Sequence, residues 1–140
     1  ETGGSVELFV ETQKKPKMMT WPRIENSSHI MTIACDKPAE DAFRTALSEM
    51  IFWLESDYKM SKSDAFLFLA QCLEARVTQF VNPTYTYILK VNKRAIQYFI
   101  LQIQLLQFQF EHSLARPKPE PQNEQEDFQE NNPYIQETRK

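Results

Sequence analysis

Hydrophobic positions change their period several times along the 140-residue chain. After Gly3-Gly4, the apolar Val6, Leu8 and Val10 alternate with Glu7 and Phe9, the period-2 signature of a strand. Lys14 to Met18, with Pro16 inside it, reads as a turn. Met18 to Glu25 is predicted extended, because Trp21 precedes Pro22 and a residue before proline is biased away from helix. From His29 to Cys35 a second strand is predicted, with Met31, Ile33 and Cys35 on one face and Ile30, Thr32 and Ala34 on the other. Apolar residues on both faces predict a strand covered on both sides.

The period then lengthens. Asp36-Lys37-Pro38 opens a helix, with an N-cap type of residue followed by a proline in the first turn, where its missing N–H costs nothing. Ala39, Ala42, Phe43, Ala46, Leu47, Met50, Ile51 and Leu54 keep helical spacing, while Glu40, Asp41, Arg44 and Glu49 fall outside that stripe. This helix is predicted to end near Ser56-Asp57. Ser61-Lys62-Ser63-Asp64 resembles a capping box and starts a second helix, through Ala65 to Ala75. Phe66-Leu67-Phe68-Leu69-Ala70 is apolar all round, so this helix is expected to be more buried than the first, with Phe66, Leu69 and Leu73 in the core.

Two strands follow, Val77–Val81 and Thr84–Val91. The order strand, strand, helix, helix, strand, strand predicts an α+β fold, a largely antiparallel sheet with two helices on one face. In Lys93 to Leu114, the residues Ile96, Phe99, Ile100, Ile103, Leu106 and Phe110 fit a helix, and Phe99, Leu101, Ile103 and Leu105 fit a strand. Length and a shortage of β-branched residues favour a further helix. So apolar a segment must pack on the body, on a second copy, or on a further N-terminal portion. From Ala115, prolines among Gln, Asn and Glu predict a disordered tail. The chain thus divides into 1–92, an apolar helical extension 93–114, and the tail 115–140.

Composition mainly excludes. A net charge of −3 gives no electrostatic reason to expect nucleic acid or an anionic membrane as partner. Lys14-Lys15-Pro16-Lys17 reads as a solvated turn. With only two glycines, Gly3 and Gly4, the chain lacks a P-loop, a dinucleotide fingerprint and a nucleophile elbow. Cys35 and Cys72 rule out a disulfide framework and suit a reducing, cytoplasmic setting. Both cysteines lie in apolar runs and are expected to be buried thiols. His29 and His112 have no second ligand at metal-binding spacing. Arg23 and Glu25, i and i+2 on an extended segment, are expected side by side as an ion pair. Glu74 and Arg76, where the second helix passes into a strand, each call for a partner.

Several blocks together resemble the C-terminal end of the acetamidase/formamidase family. Glu1-Thr2-Gly3-Gly4-Ser5-Val6 is similar to its strand-opening segment, and Pro22-Arg23-Ile24-Glu25 followed by His29 to its "PRIE…H" block. Phe43 to Leu54, ending Glu49-Met50-Ile51-Phe52-Trp53-Leu54, resembles its "REM…WL" helix. Ser61 to Ala70 resembles its "S..EAY.L" helix, with Asp64 and Phe66 in the acidic and aromatic places. Arg76-Val77-Thr78-Gln79-Phe80-Val81-Asn82 resembles "RITQVVN". These blocks occur in the family's order over about residues 1–91, and Lys93 to Lys140 has no counterpart among them.

The resemblance implies hydrolysis of small linear amides to ammonia and a carboxylate, with water activated by a divalent metal such as zinc. It also implies that the family's glycine-rich, Asp- and His-containing segments precede Glu1, so this chain alone is expected neither to bind the metal nor to hold a complete active site. Arg23, Glu25, His29 and Arg76 are the supporting candidates: an arginine to orient a carboxylate or amide oxygen, Glu25 to hold an arginine or a histidine. The implied partners are a small amide, a second copy of the chain, or the family's N-terminal portion. The competing reading is a non-catalytic homologue that acts as a protein-interaction module.

Overall fold

A computed structural model describes residues 3–114; the tail predicted to be disordered lies outside the described residues. The elements run β1 (Arg23–Glu25), β2 (His29–Asp36), α1 (Ala39–Tyr58), α2 (Lys62–Cys72), β3 (Glu74–Gln79), β4 (Tyr85–Asn92) and α3 (Lys93–Leu114). The four strands form one antiparallel sheet in the order β1-β2-β4-β3. The long central pair, β2 with β4, runs in unbroken register from His29 opposite Asn92 to Asp36 opposite Tyr85. The expected α+β architecture is present.

Alternation on the central strands decides where the core sits. Ile30, Thr32 and Ala34 of β2 and Leu89 and Val91 of β4 are fully buried under the helices. Against them α1 packs Ala46, Met50, Trp53 and Leu54, and α2 adds Ala65, Phe68 and Leu69. Thr32 is tolerated there because its hydroxyl donates to the Ala46 carbonyl at 2.8 Å. At the head of α2, the Ser61 hydroxyl accepts from the Asp64 amide and donates to the Asp64 carboxylate, so the expected cap is real.

Four expectations are corrected. Val6 to Val10 is not a strand, and its side chains are exposed. A strand exists through its ladder, and no described strand offers this segment one. The second face of β2, with Met31 and Ile33, is only half-covered, and Cys35 is exposed, because the helices lie on the other side. The second helix is not buried all round: Leu69 is 2% exposed but Phe66 57%, since only one face of α2 meets the core. Leu73 is partly buried. Asp36 stays in β2 and accepts from the Lys37 amide, leaving Pro38 as the N-cap of α1.

Of the described residues, those up to Gln104 form one compact unit, and Leu105–Leu114 belong to a second. In the first unit α3 buries Ile96 and lays Phe99 and Ile100 against the core, with the Phe99 and Phe68 rings 4.9 Å apart. The described part of the second unit, Leu105–Leu114, is the end of α3, where the Phe108 ring meets His112. Its Leu105, Leu106, Phe108, Phe110 and Leu114 are exposed. Among the described residues no helix is long and apolar enough to cross a membrane.

Candidate functional site

Register separates the four candidate residues onto opposite faces of the sheet, because cross-strand partners share a face. Arg23 lies opposite Thr32 and Glu25 opposite Ile30, both on the helix side. His29 lies opposite Asn92, and Arg76 opposite Ile88, on the open side. The structure therefore places two candidates on each face and does not gather the four into one site.

On the helix side the expected Arg23–Glu25 ion pair does not form. Arg23 donates from Nε to Glu49 at 2.7 Å, with side-chain exposures of 7% and 0%, and its guanidinium sits 5.0 Å from the centre of the Trp53 ring. Glu49 also accepts from the Thr20 amide (2.9 Å), the Thr20 hydroxyl (2.7 Å) and the Trp21 amide (3.3 Å). Burial pushes the Glu49 carboxyl up, but these hydrogen bonds from Thr20, Arg23 and Trp21 outweigh it and hold the group below its ordinary value. The Arg23 Nη2 is buried with no hydrogen-bond partner. Glu25 takes a different cation, Lys93 at the head of α3. Burial, followed by the nearby Glu25 charge, raises the Tyr58 phenol beside this pair.

Glu49 is the residue that sequence reasoning missed. Its signal was present: Ala46, Glu49, Met50 and Trp53 are spaced i, i+3, i+4, i+7, so the carboxylate belongs to the buried stripe. What the network does is mechanical. It straps the segment entering β1 onto α1, and Arg23 serves that strap rather than an accessible pocket.

The open face carries the accessible polar groups. Met31, Glu74, Arg76, Thr78, Ile88 and Lys90 line a depression of about 220 Å³. Thr78 shares this face with Glu74 and Arg76 by alternation and sits in a bulge, since Val77 pairs with Tyr87 but Gln79 pairs with Thr86. Glu74 binds Lys90 at 2.8 Å; that hydrogen bond is the main reason its carboxyl sits below the ordinary value, with the Lys90, His29 and Arg76 charges adding to it. His29 is held at the strand entry, where Asn26 Oδ1 accepts from the His29 and Ser28 amides and Ser28 Oγ lies 2.8 Å from His29 Nδ1. Arg76 forms no ion pair among the described residues. Its planar fork of donors beside apolar Met31 and Ile88 suits a small carboxylate or amide oxygen.

The cysteines divide. Cys72 is partly buried rather than buried; burial raises its thiol, which donates to the Phe68 carbonyl. Cys35 is exposed and lies 3.1 Å from the Thr86 hydroxyl. Among the described residues no three His, Cys, Asp or Glu side chains stand close enough to hold a metal ion. The described residues do not fit a zinc site.

The fold and its open sheet face place the chain among α+β proteins in which two helices back an antiparallel sheet. No protein-family model and no curated protein sequence matches the chain. Solved structures do, two acetamidases among them. It is 38% identical to the acetamidase of Yersinia enterocolitica, with a TM-score of 0.54, over 56% of this chain and 24% of that one. It is 26% identical to the acetamidase of Bacillus halodurans, with a TM-score of 0.53, over 61% of this chain and 29% of that one. The chain thus contains an acetamidase-like segment and spans about a quarter of the length of those two proteins.

Proposed function

We propose that this chain contributes the helix-backed sheet of an acetamidase/formamidase-type hydrolase that splits small linear amides into ammonia and a carboxylate. The observation that carries the reading is the 38% identity with the Yersinia acetamidase, held over more than half of the chain. The depression at Arg76 supports it with a cation and apolar walls for a short carboxylate or amide. In this reading Arg76 orients the oxygen end of the ligand, Lys90 and Glu74 fix the local charge, and His29 lies on the same face. Arg23 and Glu49 hold the entry to β1, and Glu25 ties β1 to α3. A divalent metal such as zinc would supply activated water, with ligands from residues other than those described here. The free cysteines fit a cytoplasmic setting.

A domain graft tests this. Residues 1–92 replace the matching quarter of the Yersinia acetamidase, and ammonia release from formamide and acetamide is measured with zinc added. The graft is expected to release ammonia, with Arg76→Ala raising KM more than it lowers kcat. The purified 140-residue chain by itself is expected to release none. A graft that unfolds cooperatively yet turns over neither amide would refute the hydrolase reading and leave the interaction module.

A further inference from the structure

Two features of the first unit lack partners, and each has the shape the other needs. The six residues of β3 form an edge: among the described residues β3 pairs with β4 alone, and every one of its side chains is exposed. Residues 5–11 run free of any described strand, with Val6, Leu8, Phe9 and Val10 all at least 80% exposed. This edge, regular over Glu74–Val77 up to its bulge, is a template for another strand, and an exposed period-2 apolar segment is a strand without a ladder.

The patterns match at three positions. Ala75 and Val77 share a face with Leu89 and Tyr87, on the helix side, yet Val77 remains exposed because the helices cover β2 and β4 instead. Arg76 lies on the open face without an ion pair among the described residues, and its five donors can serve Glu7 as well as the ligand of the depression. An added antiparallel strand with Glu7 opposite Arg76 sets Val6 against Val77 and Leu8 against Ala75, so apolar meets apolar and opposite charges face each other. A slip of one residue would put Glu7 on the apolar face and lose both matches.

We propose that the free edge of β3 takes the Ser5–Glu11 segment of a second copy of this chain, giving a strand-exchanged dimer. The segment's own edge is badly placed for it. Thr20 and Trp21 are tied to Glu49 beside β1, at the far side of the sheet, about 19 Å from where a strand beyond β3 would lie, taking four strand spacings. The turn closed by the Met19 amide on the Pro16 carbonyl shortens the tether further. In a two-fold dimer each copy gives one strand and receives one, so a single interaction is made twice.

Sedimentation equilibrium of the full chain tests this at micromolar to hundreds of micromolar concentrations, with circular dichroism to confirm folding. The wild type is expected to be dimeric. Glu7→Arg and Arg76→Glu, each alone, should weaken the dimer about tenfold or more, because two attractive pairs become two repulsive ones. Mixing the two single variants should restore wild-type affinity, since each interface of the mixed dimer again joins opposite charges. Leu8→Pro, which breaks the strand at an exposed position, should give monomers. A wild type that is monomeric throughout overturns the proposal, as does a dimer indifferent to both reversals and to Leu8→Pro. Failure of mixing to restore affinity, with restoration in the doubly reversed chain, would mean that the segment pairs with its own edge.

Discussion

Removing Glu49 should injure this protein more than removing any exposed charge. Its carboxylate accepts from the Thr20 amide and hydroxyl, the Trp21 amide and Arg23 Nε, and it is completely buried. Glu49→Ala leaves an arginine with 7% side-chain exposure facing a void, which typically costs about 3–5 kcal/mol. That is a large share of the roughly 5–15 kcal/mol by which a domain is stable. Glu49→Gln keeps the volume but replaces charge-assisted bonds with neutral ones and should cost about 1.5–3 kcal/mol. Replacing both members, Arg23→Met with Glu49→Met, should cost less than Glu49→Ala alone, because no orphan charge is left. Urea unfolding at neutral pH measures all three. The pH dependence is a second check. Folding depresses the Glu49 pKa, so its contribution is fully present above the unfolded value of about 4.3 and is lost as pH falls through the lower folded value. The gap between wild type and Glu49→Gln should therefore narrow on acidification. A neutral-pH loss under about 1 kcal/mol for Glu49→Ala, or a gap that stays constant down to pH 3, would refute the strap.

Other substitutions separate core from surface. Leu69→Ala, at 2% exposure, should cost about 2–5 kcal/mol, whereas Phe66→Ser, on the exposed face of the same helix, should change the urea midpoint little. On α3, Ile96→Ala should cost about 2–5 kcal/mol, while Phe110→Ser should leave thermal stability nearly unchanged. Equal losses for either pair would show that the burial is misassigned. Lys90→Met should move the Glu74 carboxyl back up towards its ordinary value, followed by NMR titration; an unmoved titration would mean that Lys90 is not its main partner.

Much of this fold was legible along the chain, and for local reasons. The stripe from Ala42 to Leu54 can be satisfied only by a helix with one covered face, and the alternation of Ile30, Thr32 and Ala34 only by a strand. The resemblance blocks around Arg23 and Arg76 were likewise readable residue by residue. What only the tertiary structure decided is which neighbour each side chain meets. Arg23 and Glu25 are adjacent along one strand, yet their partners are Glu49 and Lys93, 26 and 68 residues away. Phe66 and Phe68 are equally apolar, but the approach of the sheet buries one and leaves the other in water. Val6 to Val10 has the period of a strand, and a strand also needs a ladder, which no pattern within the segment can supply. Periodicity is a property of the chain near each residue, whereas pairing and burial depend on surfaces that come together only after the chain has folded.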